Sequence, residues 1–242
     1  LSSYAFLFSS FFFLLFRNPP STTLSFSSAA SEWYRDRNIC AYITDNLPAE
    51  QNIIAANEGG AMGIAAGYHL ATGKIPVVYM QNSGEGNIIN PVASLLNDKV
   101  YAIPTVFIIG WRGEPGLHDE PQHIYQGEVN VKLLDDMDIK SFAIGKDTTD
   151  EEVEAVMKEF NEELAKGKDV AFVIRKGALS TDVKVKYEND NDMVREDIIK
   201  HIVKISGEDP IVSTTGKASR ELFETRVAND QSHKYDFLTV GC

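Results

Sequence analysis

A doubly wound parallel α/β sheet is the fold this sequence predicts, and three features predict it. Short, almost uniformly apolar runs alternate with segments of helical periodicity from residue 39 onward, as successive βα units require. The runs are too short for helices and too apolar for strands with a wet face, so they read as strands buried on both sides. Glycine-containing polar turns follow them, at the end of a parallel sheet where ligands bind.

The elements read in order as a helix over 40–47, a strand over 52–56, a helix over 60–72 and a strand over 76–80. A third helix is expected over 88–96, a buried strand over 105–110, a helix over 129–137 and a strand over 140–144. Residues 151–166 place Val153, Val156, Met157, Phe160 and Leu164 on one helical face, and the strand 170–175 follows. The stretch 184–192, KVKYENDND, has little apolar surface to bury and reads as an interdomain linker. Beyond it a second α/β unit begins, with a helix over 193–206, a strand over 210–214, a turn at Thr215 and Gly216, a helix over 218–225 and a strand over 237–240.

The domain organisation is therefore 1–38 leader, 39–183 first domain, 184–192 linker and 193–242 start of a second domain. Residues 4–16 are nearly all Phe, Leu and Ser, followed by Arg17, a Pro-Pro pair and a Ser/Thr stretch to Ser31. The apolar run is shorter than a bilayer span and resembles a signal-peptide core, with Ala29 and Ala30 downstream. A targeting segment and a spurious one, such as a mistranslated exon, fit equally; either way 1–38 is expected to be disordered and outside the fold. The chain starts at Leu1 rather than Met, and a fragment is expected.

The 242 residues are 43% hydrophobic and 24% charged, ordinary for a soluble globular protein, and the net charge is −12. That charge argues against binding nucleic acid or an anionic membrane surface, and an anionic substrate would need a local basic site. The two cysteines, Cys40 and Cys242, have no zinc or disulfide spacing, so a reducing, cytoplasmic compartment is expected unless the leader targets an organelle or the secretory route.

Glu58 is the most informative residue. A lone acid closes the apolar strand and opens a helix rich in Gly and Ala, and Gly59, Gly60 and Gly63 let a ligand or backbone approach closely. Its plain explanation is a first-turn acid favoured by the helix dipole. QNSGEGN, 81–87, offers Asn82, Ser83 and Asn87 as hydrogen-bonding groups and Gly84 and Gly86 for close approach; a polar turn capping the next helix is its plain explanation. Ser83 lacks GxSxG flanks and is not a hydrolase nucleophile. Residues 111–127, WRGEPGLHDEPQHIYQG, read as a long polar loop carrying Arg112, His118, Asp119, Glu120, Gln122, His123 and Gln126. An arginine fork suits a carboxylate or phosphonate, and a histidine suits proton transfer near neutral pH. His118 also fits an exposed loop position, and the loop has no metal-ligand spacing. In 213–223, STTGKASRELF, the turn at Thr215 and Gly216 could aim N–H groups at an anion or simply cap a helix.

Taken together, 57–87 (NEGGAMGIAAGYHLATGKIPVVYMQNSGEGN) and 110–127 (GWRGEPGLHDEPQHIYQG) resemble the phosphonopyruvate decarboxylase family of thiamine diphosphate enzymes, close to sulfopyruvate decarboxylase. The resemblance runs from about residue 39 to 242 and implies a pyrimidine-binding first domain and a diphosphate-binding second domain. It implies that Glu58 hydrogen-bonds N1′ of the cofactor's aminopyrimidine, so that the 4′ nitrogen can take the thiazolium C2 proton. It further implies catalytic roles for Glu58 and His123, cofactor contacts for Asn82, Ser83, Gly84, Asn87, Thr215 and Gly216, and substrate contacts for Arg112, Gln122 and Gln126. Magnesium and its GDG-plus-Asn motif are expected downstream of Cys242, with no metal ligand in the residues given. The implied reaction is decarboxylation of 3-phosphonopyruvate to phosphonoacetaldehyde, with sulfopyruvate as the alternative substrate, by a homo-oligomer whose copies share active sites. A non-catalytic fragment or assembly subunit that keeps only the aminopyrimidine half-site is the other alternative, because the diphosphate motif does not occur in the residues given, and the family's opening strand and GVPDS-like loop are not recognisable either.

Overall fold

The computed structural model describes residues 24–27 by backbone, Ile39, Ile43 and Leu47, and then 51–179, 190–214 and 216–238. Two compact units result, 1–185 and 186–242.

The first unit carries a six-stranded sheet in the order β2-β1-β3-β4-β6-β5. Its strands are β1 (Leu24–Ser27), β2 (Asn52–Ala55), β3 (Val77–Gln81), β4 (Val106–Gly110), β5 (Lys140–Ile144) and β6 (Val170–Ile174). All neighbours run parallel. β3, β4 and β6 are buried along their whole length, which is why their sequences are apolar without alternation. The chain leaves β1 toward β2 on one side and then places β3 on the other. The strand order thus reverses beside β1, where α/β sheets open a crevice at their carboxyl ends.

Helices cover both faces, as a doubly wound sheet requires. Side chains alternate across the pleat: Tyr79, Ile108 and Phe172 face one layer with Val153, Phe160 and Leu164 of α4 (Asp150–Leu164). Val78, Met80, Phe107 and Ile109 face the other, against Ala61, Met62 and Ala65 of α1 (Glu58–Thr72), Ile88 of α2 (Glu85–Pro91) and Leu134 of α3 (Pro121–Asp136). Each fully buried large side chain contributes about 1.5–3 kcal/mol, and the Phe160 and Phe172 rings meet at 4.9 Å. α4 starts in a capping box: Thr149 Oγ1 accepts from Glu152 N–H, and Glu152 Oε2 accepts from Thr149 N–H at 2.8 Å.

Three expectations change. Leu24–Ser27, assigned with the leader outside the fold, runs between β2 and β3 and pairs with both, supplying hydrogen-bond partners that each strand would otherwise lack on that side. The polar stretch 111–127 is a loop only to Glu120, because Pro121, fixed at a helical φ, opens α3, so that Gln122, His123 and Gln126 are helical. The helix expected over 88–96 starts at Glu85, after a 3₁₀ turn at Asn82–Gly84, and gives way after Pro91 to a π-helical turn, Val92–Leu96. Most of the helix expected over 40–47, most of the linker 184–192, Thr215 and residues 239–240 lie outside the described residues.

The second unit contains α5 (Arg195–Ser206), β7 (Ile211–Ser213), α6 (Lys217–Ala228) and β8 (Asp236–Leu238), with β7 and β8 parallel. Inside it, Arg226 and Asp236 form a buried ion pair at 3.0 Å. Among the described residues of the chain, no helix is long and apolar enough to cross a membrane.

Candidate active site

β2 ends at Ala55, and Asn57 takes the extended backbone of a helix cap, its Oδ1 accepting from Gly60 N–H at 2.7 Å. Glu58 is therefore the first residue of α1, yet its side chain turns inward and is 2% exposed. Asn87 Nδ2 donates to Glu58 Oε2 at 2.9 Å. Glu58 Oε1 is buried with no hydrogen-bond partner among the described residues. A buried carboxyl oxygen without a partner costs on the order of 1–3 kcal/mol, so this atom is a site waiting for a donor.

The turn after β3 closes over that carboxyl. A β-carbon on Gly84 would stand 2.7 Å from Glu58 Oε1, a distance only glycine tolerates. Both ends of the Asn82 amide are used by one peptide: its Nδ2 donates to Arg112 C=O at 2.9 Å and its Oδ1 accepts from Arg112 N–H at 3.0 Å. This reciprocal pair ties the end of β3 to the loop after β4. Ser83 Oγ donates to Gln81 Oε1 at 2.8 Å.

Arg112, expected to hold substrate, has its guanidinium on Asp119, with Nε to Oδ2 at 2.9 Å and Nη2 to Oδ1 at 2.7 Å. Gly113 N–H also donates to Asp119 Oδ2, at 2.8 Å. Burial raises the Asp119 pKa, but the arginine and the Gly113 and Glu120 N–H groups outweigh it and hold the carboxyl well below the usual range. His123 is half-buried on the first turn of α3, and its Nδ1 is buried with no hydrogen-bond partner among the described residues. Burial first, then the Arg112 charge, lowers its pKa, so the ring is neutral at pH 7. Gln126 is partly buried one turn along, whereas Gln122 and His118 are exposed.

The loop and α3 are in close contact because both facing residues are glycines. A β-carbon on Gly127 would overlap Gly113 C=O, and one on Gly113 would overlap His123 C=O. Trp111 Nε1 donates to Gly127 C=O at 3.0 Å. A cleft of about 480 Å³ opens between this loop and Ile124 and Glu128 of α3; Asp119 lines it and Glu58 does not.

The structure thus brings Glu58, Gly84 and Asn87 into one cluster and Arg112, Asp119, His123 and Gln126 into another, joined through Asn82. Gly216 caps α6 in the second unit with φ 108°. Sequence reasoning missed Glu85 and Asn130. Glu85, 2% exposed, lies against the Asn130 amide, which with its nitrogen turned to the acid donates from Nδ2 to Oε2 at 3.2 Å. Burial raises the Glu85 pKa to about 8. A signal existed for Asn130: with Gly127 and Leu134 it lies on the buried stripe of α3, where an amide needs a partner. The ion pair of Arg175 with buried Glu114 was missed too.

Residues 38–136 match the family described as thiamine pyrophosphate enzyme, N-terminal TPP binding domain. The chain is 33% identical over 208 residues to a phosphonopyruvate decarboxylase of Streptomyces viridochromogenes, covering 76% of this chain and 51% of that protein. It is 32% identical over 211 residues to one of Streptomyces hygroscopicus, with the same coverages of 76% and 51%. It is 44% identical over 108 residues to the sulfopyruvate decarboxylase alpha subunit of Methanocaldococcus jannaschii, covering 44% of this chain and 59% of that one. The chain spans about half the length of the phosphonopyruvate decarboxylases it matches.

Proposed function

We propose that this chain, a relative of the phosphonopyruvate and sulfopyruvate decarboxylases with the TPP binding domain of the thiamine pyrophosphate enzymes, is the pyrimidine-binding part of a 2-oxo acid decarboxylase acting on 3-phosphonopyruvate. The observation that carries the reading is Glu58: a buried carboxyl with one oxygen held by Asn87 and the other, Oε1, without a donor. Thiamine diphosphate fits that arrangement, because its protonated pyrimidine N1′ supplies the missing donor and the bare face of Gly84 keeps the approach narrow. When bound, the cofactor supplies the electron sink that a 2-oxo acid lacks.

The chain's residues do the rest. Glu58 Oε1 would hold a proton against the pyrimidine, while Asn87 fixes the carboxyl plane. As the carboxylate carbon leaves as carbon dioxide, a proton takes its place on the former keto carbon. Water would supply that proton, and His123, neutral and with Nδ1 free of a partner among the described residues, could take it up and pass it on. Arg112, Gln122 and Gln126 meet the anionic end of the substrate, a dianion there competing with Asp119 for the arginine fork. Asn82 and Ser83 on the first unit would contact the cofactor, as would Thr215 and Gly216 on the second, with magnesium at the diphosphate, in a cytoplasmic homo-oligomer whose copies share sites.

Sulfopyruvate is the second substrate reading, favoured by the 44% identity to an alpha subunit over 108 residues. Phosphonopyruvate is preferred because those relatives match 76% of the chain rather than 44%. The test is calorimetry of thiamine diphosphate with magnesium on the full-length protein, followed by turnover of both acids, with Glu58→Gln alongside. Aldehyde formation that Glu58→Gln abolishes supports the reading. Absence of both cofactor binding and turnover overturns it.

A further inference from the structure

Glu85 occupies an unusual place for an acid at the start of a helix. Such residues normally lie in water, where the helix dipole favours their charge. Here the side chain is 2% exposed and packs against Asn130, which is fully buried on α3. The Asn130 amide lies against both carboxyl oxygens, and with its nitrogen turned to the acid Nδ2 donates to Oε2 at 3.2 Å. Burial in these neutral surroundings favours the protonated acid.

The neighbours of Glu85 in the chain matter more than the residue alone. Gly84, immediately before it, lies against the Glu58 carboxyl, and Asn87, two residues after it, donates to Glu58 Oε2. Both groups that shape Glu58 therefore flank one buried anchor. The other end of the same turn is fixed by Asn82 on the Arg112 peptide. Apart from the Asn87 contact with Glu58 itself, the segment from Asn82 to Asn87 is tied at two points, one to the loop after β4 and one to α3. Neither tie uses a group directed at Glu58.

We propose that Glu85 is a positioning residue, which through Asn130 holds the Asn82–Asn87 turn at the depth where Gly84 and Asn87 define the Glu58 carboxyl. Its mechanistic consequence rests on the decarboxylase reading; the positioning itself does not. Loss of the anchor leaves the chemistry-bearing groups in place but lets the turn shift, and displacements of about an ångström near reacting groups cost on the order of a hundredfold in rate.

The test compares Glu85→Ala, Asn130→Ala and Glu85→Gln in the full-length protein, with two readouts. The first is amide hydrogen exchange of residues 82–87 against that of β4. The expected result is faster exchange in the turn for both alanine variants, unchanged exchange in β4, and recovery in Glu85→Gln, which keeps the shape and a hydrogen bond to Asn130. The second is kcat against KM together with thiamine diphosphate affinity. Glu85→Ala is expected to lower kcat and cofactor affinity at least about tenfold with substrate KM changed less than about twofold. Unchanged exchange in the turn overturns the proposal, as does a Glu85→Ala kcat equal to the parent's in an active protein. If the parent neither binds the cofactor nor turns over either acid, the decarboxylase reading fails while the exchange result still decides the positioning role.

Discussion

Gly84 and Glu58 are so close that a β-carbon at residue 84 would lie 2.5 Å from Glu58 Cγ and 2.6 Å from Cδ. Neither residue has room to give way, since both are buried. Gly84→Ala therefore displaces the carboxyl or the turn, at about 1–3 kcal/mol for the overpacking. Thiamine diphosphate affinity is expected to fall at least about tenfold, which is about 1.4 kcal/mol. Calorimetry on the variant checks this; affinity within twofold of the parent would show that the close approach has no bearing on the cofactor.

Asn87→Ala removes the donor to Glu58 Oε2 and leaves the whole carboxyl buried without a protein partner. A stability loss of about 1–3 kcal/mol is expected in urea unfolding. Because Asn87 also holds the carboxyl that would meet the cofactor, thiamine diphosphate should bind the variant more weakly and give a smaller ligand-induced rise in Tm than in the parent. A ligand response equal to the parent's would refute that link.

Pattern alone did not single out Glu58, since the helix dipole also explains a first-turn acid; the surrounding glycines and the family resemblance of 57–87 did. β3, β4 and β6 were legible because their burial on both faces leaves an apolar run with no competing pattern. β1 was not, because LSFS, 24–27, lies in a serine-rich stretch whose composition points to a leader; its place is fixed by pairing with β2 and β3. The start of α3 was legible in principle. Pro121 is a strong helix opener, but the polar neighbours of DEPQH suggest a loop. Glu85 was not singled out, because an acid near a helix start gives no sign of burial in the sequence, and only tertiary contact with Asn130 distinguishes the buried case.

The Arg112–Asp119 pair bears on both stability and substrate. With side chains only 9% and 4% exposed, removing one partner leaves a poorly solvated charge. Asp119→Asn is expected to destabilise the fold by about 3–5 kcal/mol and to free the arginine fork. Under the decarboxylase reading, the same variant should change substrate KM more than cofactor affinity. Chemical denaturation and initial-rate kinetics on the full-length protein check the two parts separately. A normal KM with a normal kcat would place Arg112 outside substrate binding.

The pH dependence of stability follows from buried acids with opposing shifts. Burial raises Glu85 to about 8 and Asp169 to about 7, the latter still accepting from Thr105 N–H at 2.9 Å. For these two the folded chain keeps protons that the unfolded chain releases near pH 4 to 4.5. Their contribution is therefore fully present below the unfolded values and is lost as pH rises through about 7 to 8. Asp119 works in the opposite sense: its lowered pKa gives stability that is present above the ordinary value of 3.8 and lost in acid. His123, lowered from 6.5, likewise favours the fold as pH rises toward neutrality. Unfolding free energy should thus peak in mildly acidic solution and fall by a few kcal/mol toward pH 8. Glu85→Gln has no carboxyl to ionise and keeps a hydrogen bond to Asn130, so its stability should decline less between pH 6 and pH 8 than the parent's. Urea titrations at those two pH values decide the point. Equal declines in the two proteins would mean that Glu85 is ionised in the fold already at pH 6, and that the Asn130 contact is made to a carboxylate.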